Sequence, residues 1–251
     1  MKRLIKSALF LTVLIAGLTA CKDRTTELIT YDANVPVYMP FDEFRASFLK
    51  SAPIEISHPG KMYFKDGYLF VNEYGKGIHV IDNTDPSNPE KIAFYEILGN
   101  VDMAIKGNVL FADSYIDLLA IDITDVEKPV EIDRIENVFP EIVPEGELWY
   151  PYAMVDKSQG VIIDWKVEKI TEEVEKYNHG GFIYFGGMDF MMNAEAGPTW
   201  TGGSGTGGSM ARFMLNEDYL YVIAVPTRLK TVDITTASRS EEHTSELQSL
   251  A

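Results

Sequence analysis

Three apolar couplets recur, the first two about 40 residues apart, each opened by a turn and each built from Val, Ile, Leu, Tyr and Phe. A period of that length made only of short strands predicts an all-β chain, a partial β-propeller of about three four-stranded blades. The third couplet lies far beyond its expected place, which predicts a long insert between blades two and three.

The first runs of the couplets are Tyr68-Leu69-Phe70-Val71, Val109-Leu110-Phe111-Ala112 and Tyr219-Leu220-Tyr221-Val222. They follow the turns Lys65-Asp66-Gly67, Lys106-Gly107-Asn108 and Asn216-Glu217-Asp218. The second runs are Ile78-His79-Val80-Ile81-Asp82, Leu118-Leu119-Ala120-Ile121-Asp122 and Leu229-Lys230-Thr231-Val232-Asp233. Leu69 and Leu110 stand 41 residues apart, and Asp82 and Asp122 stand 40 apart. Helical repeats of this length need apolar residues three and four apart over long windows, and these runs are too short and too β-branched for that. After each second run comes a polar stretch, Asp82-Asn83-Thr84-Asp85-Pro86 and Asp122-Ile123-Thr124-Asp125-Val126. Asp and Thr side chains there accept backbone N–H groups two residues on, so the stretch reads as a turn between a blade's third and fourth strands. A calcium loop is the competing reading, but the glycine and terminal glutamate of an EF-hand are missing.

These runs and their Asp-x-Thr-Asp turns resemble LVIVD repeats, over about 53–137 and 210–236. The resemblance implies a β-propeller found among bacterial surface and exported proteins, and implies no reaction or ligand. The second turn departs from the pattern with Val126 where the first has Pro86, and the third has Thr236-Ala237.

At the N-terminus, Met1-Lys2-Arg3-Leu4-Ile5-Lys6 is followed by an apolar run to about Gly17 and by Leu18-Thr19-Ala20-Cys21. A basic start, a short apolar centre and small residues at the cut predict a signal peptide over 1–20, cleaved between Ala20 and Cys21. The stretch is short of the roughly 20 apolar residues that span a bilayer. The cysteine in that place resembles the bacterial lipobox, which implies lipid on Cys21 and membrane as a partner. Several acyl chains hold a protein firmly where one chain is marginal. Lys22 is not the Asp that retains many lipoproteins at the inner membrane, so outer-membrane placement is favoured. Residues 21–52 read as a lipidated tether and N-terminal segment, polar to about Asn34. Pro53-Ile54-Glu55-Ile56-Ser57 resembles the fourth strand of a blade, Lys91–Ile97, and is expected to close the ring as a strand of the last blade.

Closing strand and blades one and two thus occupy 53–137, the insert 138–209, and an incomplete blade three 210–238. The tail 239–251 shows no strand pattern and breaks the repeat in mid-turn. It resembles translated sequencing-adapter read-through and reads as non-native, on a chain truncated at its C-terminus. The insert carries all three tryptophans, Trp149, Trp165 and Trp200, with Tyr150, Tyr152, Tyr184 and Phe185. Val161–Val167 reads as a strand, Ile170–Tyr177 as its extension or a short helix, and Thr201–Ser209 as a Gly/Ser loop. Loops this long inside compact domains are usually functional or disordered. Trp149, Tyr152 and Trp200 are the candidate ligand contacts, because aromatic rings stack on sugars. The competing reading makes these aromatics the insert's own small core.

The formal charge of −16 becomes −19 once Lys2, Arg3 and Lys6 leave with the signal peptide. Such acidity repels phosphate backbones, so nucleic acid is excluded as a partner. With Cys21 the sole cysteine, the mature chain has no internal disulfide and no catalytic thiol. Gly203–Gly208 matches G-x-G-x-x-G without a strand and helix around it, so no dinucleotide cofactor is expected. His58, His79, His179 and His243 lack metal spacing, and His79, inside a strand run, reads as structural. No catalytic residue, metal or cofactor is nominated. The expectation is a non-catalytic, membrane-anchored module for binding or scaffolding at the cell envelope, its partner a glycan or an envelope protein. The alternatives are an envelope glycan hydrolase or lyase built on a propeller, and a structural surface component.

Overall fold

The structure, a computed structural model, describes residues 26–139, 143–175, 212–225, 228–235 and 241–246. Ala20, Cys21, Trp200, the Gly/Ser loop and the G-x-G-x-x-G match lie outside the described residues. The described chain is all-β, with one short helix, and its antiparallel sheets are all open.

It begins with β1 (Thr26–Met39), α1 (Phe41–Arg45) and β2 (Leu49–Ser51). The first sheet then follows as β3 (Pro59–Lys65), β4 (Tyr68–Glu73), β5 (Gly77–Asp82) and β6 (Glu90–Glu96). The second is β7 (Met103–Lys106), β8 (Val109–Ser114), β9 (Asp117–Asp122) and β10 (Val130–Ile135). After β11 (Val161–Glu175) comes the third, β12 (Phe213–Asn216), β13 (Tyr219–Val225), β14 (Arg228–Asp233) and β15 (Glu241–Glu246). Each of the three sheets is a meander of four consecutive strands, and β2 adds a fifth to the first, beside β6.

Local chemistry explains the meanders. Asp66 and Gly67 both hold positive φ, 50° and 85°, the pairing that lets a two-residue turn follow the twist of β3 and β4. Asp82 Oδ1 accepts the Thr84 amide at 2.9 Å and hydroxyl at 2.7 Å, and Asp122 repeats this on Thr124 at 2.8 and 2.6 Å. Asp233 repeats it again on Thr235, at 2.9 and 2.5 Å. The polar stretches are therefore side-chain-capped turns, with one carboxylate oxygen of each aspartate held by local N–H and O–H donors. Those donors hold the Asp82 and Asp122 carboxyls below the ordinary aspartate value.

The sheets stack face to face. Phe70, Ile78, Val80 and Tyr95 of the first meet Met103, Leu110, Ala112, Leu119 and Ile121 of the second. Phe111, Leu118 and Ala120 on the second sheet's other side meet Phe213, Leu220, Val222 and Val232 of the third. Each fully buried aliphatic or aromatic side chain of this kind stabilises by about 1.5–3 kcal/mol.

Three expectations are corrected. Pro53–Ser57 forms no strand; the strand added to the first sheet is Leu49–Ser51, and the segment after it is held by side chains instead, Glu55 on Lys91 at 2.9 Å and the Ser57 amide on Glu73 at 3.0 Å. Thr26–Met39 is not a tether but a 14-residue strand, because Val161–Glu175 of the insert offers it a continuous antiparallel ladder. Of the two readings of the segment after Val167, the strand extension holds, as Ile170–Glu175 continues β11. The tail supplies a fourth strand to the third sheet, Glu241–Glu246, paired with β14 through its backbone. An outermost strand needs no apolar alternation and tolerates charge, so its sequence carries no strand pattern.

Candidate functional site

The ribbon of β1 and β11 is the base on which the insert's aromatic loop, residues 143–160, is mounted. At its root Phe44, Ile116 and Val161 form a small core with Met39, Phe41 and Tyr115, and the Tyr115 hydroxyl donates to the Ile163 carbonyl at 3.1 Å. Gly160 sits at φ 139°, where a Cβ would collide with the Met39 carbonyl, so the chain enters β11 only because this residue is glycine.

One buried side chain organises the loop. Asn34 Nδ2 donates to the Glu147 carbonyl at 2.8 Å and to the Tyr150 carbonyl at 2.9 Å, while its Oδ1 accepts the Glu147 amide at 3.0 Å. Its backbone amide donates to Pro151 O at 2.8 Å, and its carbonyl accepts the Ala153 amide at 2.9 Å. Beneath the loop, Trp165 donates from Nε1 to the Pro144 carbonyl at 2.8 Å and meets the Tyr152 ring edge-on at 4.7 Å. The Tyr152 hydroxyl accepts the Gly146 amide at 3.2 Å. The tip of the pinned loop faces outward, with Trp149 90% exposed and Leu148 and Met154 nearly as open.

The three sequence candidates therefore part company. Trp149 is a displayed ring. Tyr152 is half-buried and serves, with Trp165, as the loop's small core. Trp200 lies outside the described residues. The reading of these aromatics as the insert's own small core holds for Tyr152 and Trp165.

A second polar assembly runs along the seam where the first strands of the three sheets meet. The Asp102 carboxylate accepts Lys61 Nζ from β3 at 2.8 Å, the Met103 amide of β7 at 2.7 Å, and at the start of β12 the Arg212 and Phe213 amides at 2.5 and 2.9 Å. Asp113 accepts Asn100 Nδ2, the Val101 amide, the Asp102 amide and Arg212 Nη2, all within 2.6–2.9 Å. Burial pushes the Asp113 carboxyl up, against the pull of the Arg212 guanidinium and the two backbone amides. Tyr74, at the turn after β4, has its hydroxyl pushed up by burial and by the charge of Glu145 in the aromatic loop.

Glu73, fully buried, accepts the Ser57 hydroxyl, the His58 amide at 2.8 Å and His79 Nε2 at 3.0 Å. Burial would raise its carboxyl, but the Ser57, His79 and His58 donors outweigh it and bring it to about 2. His79 is thereby structural, as its place in a strand suggested.

These carboxylates are poor candidates for acid–base work. Glycoside hydrolysis uses a pair of carboxyl groups flanking the scissile bond, with a water reaching one of them. Asp102 and Asp113 are buried and each carries four donors, so neither presents its carboxylate to solvent. Among the described residues no three His, Cys, Asp or Glu groups converge as for a metal ion, and no helix is long and apolar enough to cross a membrane. Sequence reasoning found Trp149 through the aromatic density of the insert. It missed Asn34, whose partner Glu147 is 113 residues away and whose surroundings in sequence carry no signal.

Comparison with protein-family models, with curated proteins and with solved structures found no match to this chain.

Proposed function

We propose that the chain is an exported, lipid-anchored repeat module of LVIVD type that binds at the bacterial cell envelope, with the Trp149 loop as its contact for a glycan. Three meander sheets stacked face to face support reading the repeats as propeller blades. The lipobox-like Leu18–Cys21 supports acylation at Cys21 and outer-membrane placement.

The observation that carries the binding reading is Trp149, fully displayed on a loop that Asn34 pins with five hydrogen bonds. An exposed indole is costly in water unless a partner covers it, and a pinned one loses little freedom on binding. Its faces suit the apolar face of a sugar ring. Glu145 and Glu147 nearby, and the acidity of the whole chain, favour a neutral or amino sugar over an anionic one.

The test is a screen of the secreted protein against glycans and envelope extracts. Saturable binding, weakened at least about tenfold by Trp149→Ala (about 1.4 kcal/mol), is the expected outcome. Turnover of a glycan would overturn the reading in favour of the hydrolase or lyase. A stoichiometric envelope complex without glycan binding would favour the structural component. The anchor is tested separately: Cys21→Ser should abolish incorporation of labelled fatty acid and release the protein from membranes, and an unchanged membrane fraction would contradict it.

A further inference from the structure

The register of the β1–β11 ribbon defines the face on which the aromatic loop is mounted. Side chains two apart on a strand point the same way, so Leu28, Thr30, Asp32 and Asn34 share one face with their partners Glu173, Thr171, Lys169 and Val167. Asn34 reaches into the loop from this face, and so does Trp165, the partner of Pro36. Between Leu28 and the loop, the Thr30 and Thr171 hydroxyls bond each other at 2.8 Å and Asp32 stands opposite Lys169.

Two apolar features stand on this face. Leu28 is 70% exposed, and on the loop Leu148 and Met154 are 89% and 83% exposed in addition to Trp149. Leu28 and Asn34 are about 20 Å apart along the strand. A sugar ring stacked on the indole covers neither Leu148 nor Met154, which have nothing to offer its hydroxyls, and it does not reach Leu28. Apolar side chains spread over such a length of one face fit an extended apolar partner. The loop can meet that partner without stranding the backbone beside its tip. Glu147 has its amide and carbonyl bonded to Asn34, and Tyr150 has its amide on the Glu147 carbonyl and its carbonyl on Asn34. Backbone groups satisfied internally are what a lipid environment requires.

Chain length brings the same face to a membrane. Cys21 stands five residues before Thr26, a reach of at most about 18 Å. Asn34 lies eight residues further, about 27 Å along β1. A ribbon lying along the surface therefore sets anchor and loop on it together, and tethering makes a weak second contact effective.

We propose that the loop-bearing face of the ribbon seats on a membrane of neutral or zwitterionic lipid, Leu28, Leu148 and Met154 meeting the acyl boundary and the Trp149 ring lying among the head groups. Tryptophan favours that level of a bilayer. The acidity of the chain, with Glu145 and Glu147 exposed beside the tip, turns it away from anionic lipid. The inference rests on the lipid anchor of the proposed function, and it makes the glycan met by Trp149 one displayed at the membrane.

The test uses the chain from Cys21, its only thiol coupled to a maleimide-bearing phospholipid in phosphatidylcholine vesicles. Brominated phosphatidylcholine should quench the tryptophan emission, and Trp149→Phe should lose most of that quenching. Leu148→Ser with Met154→Ser, which alters exposed residues and should leave circular dichroism unchanged, should lose at least about half of it, as contact scales with buried apolar area. Phosphatidylglycerol in the vesicles should weaken it at low salt. Absence of quenching, or quenching equal in wild type and either variant, overturns the proposal. A Cys21→Ser chain that is dimeric by light scattering, and monomeric after Leu148→Ser, overturns it in favour of a second copy on the loop. Because the lipid is attached chemically, absent quenching sinks the seating alone, whereas absent fatty-acid labelling in cells sinks the anchor. Quenching by a protein blind to every glycan keeps the seating and sinks the glycan.

Discussion

Asn34 and Glu73 show how single buried polar groups do the positioning in this molecule. Replacing Asn34 by Ala removes the partner of the Glu147 amide and two carbonyls, and because these bonds are only part-buried each loss costs about 0.5–1.5 kcal/mol. We expect Asn34→Ala to lower the Tm by about 2–4 °C for each kcal/mol lost, and to weaken glycan binding as much as Trp149→Ala although it touches no ligand. Equal binding by wild type and Asn34→Ala would separate the loop's order from its affinity. Glu73 makes a prediction in pH. Its carboxyl titrates at about 2 in the folded chain against an ordinary 4.5, so folding favours the ionised form. That stabilisation is complete above the ordinary value and is lost as pH falls from about 4.5 to about 2. Glu73→Gln should flatten the fall in Tm across this window, and a parallel shift of the whole curve would contradict the assignment.

At the scale of elements, Asp102 ties together the first strands of the three sheets. Removing one partner of a buried, charge-assisted cluster costs about 3–5 kcal/mol, so Asp102→Ala should be among the most destabilising single changes outside the apolar core. Lys61→Ala, which takes one donor of the four, should cost less in the same thermal melt. The strands of the sheets were legible because their partners are neighbours: couplet, turn and capped Asp lie within a few residues, so composition and spacing reveal them. Of the β1–β11 ribbon, β11 was legible as a strand but β1 and the pairing were not, since Thr26 pairs with Glu175 and the register is set by chain that lies far away. β15 was hidden for a different reason, because a strand at the edge of a sheet pairs through its backbone and leaves no apolar alternation to read. Pro53–Ser57 misled in the opposite sense: it has the alternation of a strand, but the place beside β6 is taken by Leu49–Ser51.

For the whole molecule, the account joins a scaffold to a displayed ring. The sheets bury one another's faces, the β1–β11 ribbon carries the loop, and the loop leaves Trp149 exposed. The strongly acidic charge of the chain should screen out anionic glycans at low salt, and added salt should relax that discrimination without strengthening binding to neutral ones. The most direct measurement is a calorimetric titration of wild type and Trp149→Ala with the best neutral glycan from the screen, at matched circular dichroism and Tm. The account predicts saturable binding by wild type and at least a tenfold (about 1.4 kcal/mol) loss in the variant. Equal affinity in the two proteins would contradict it.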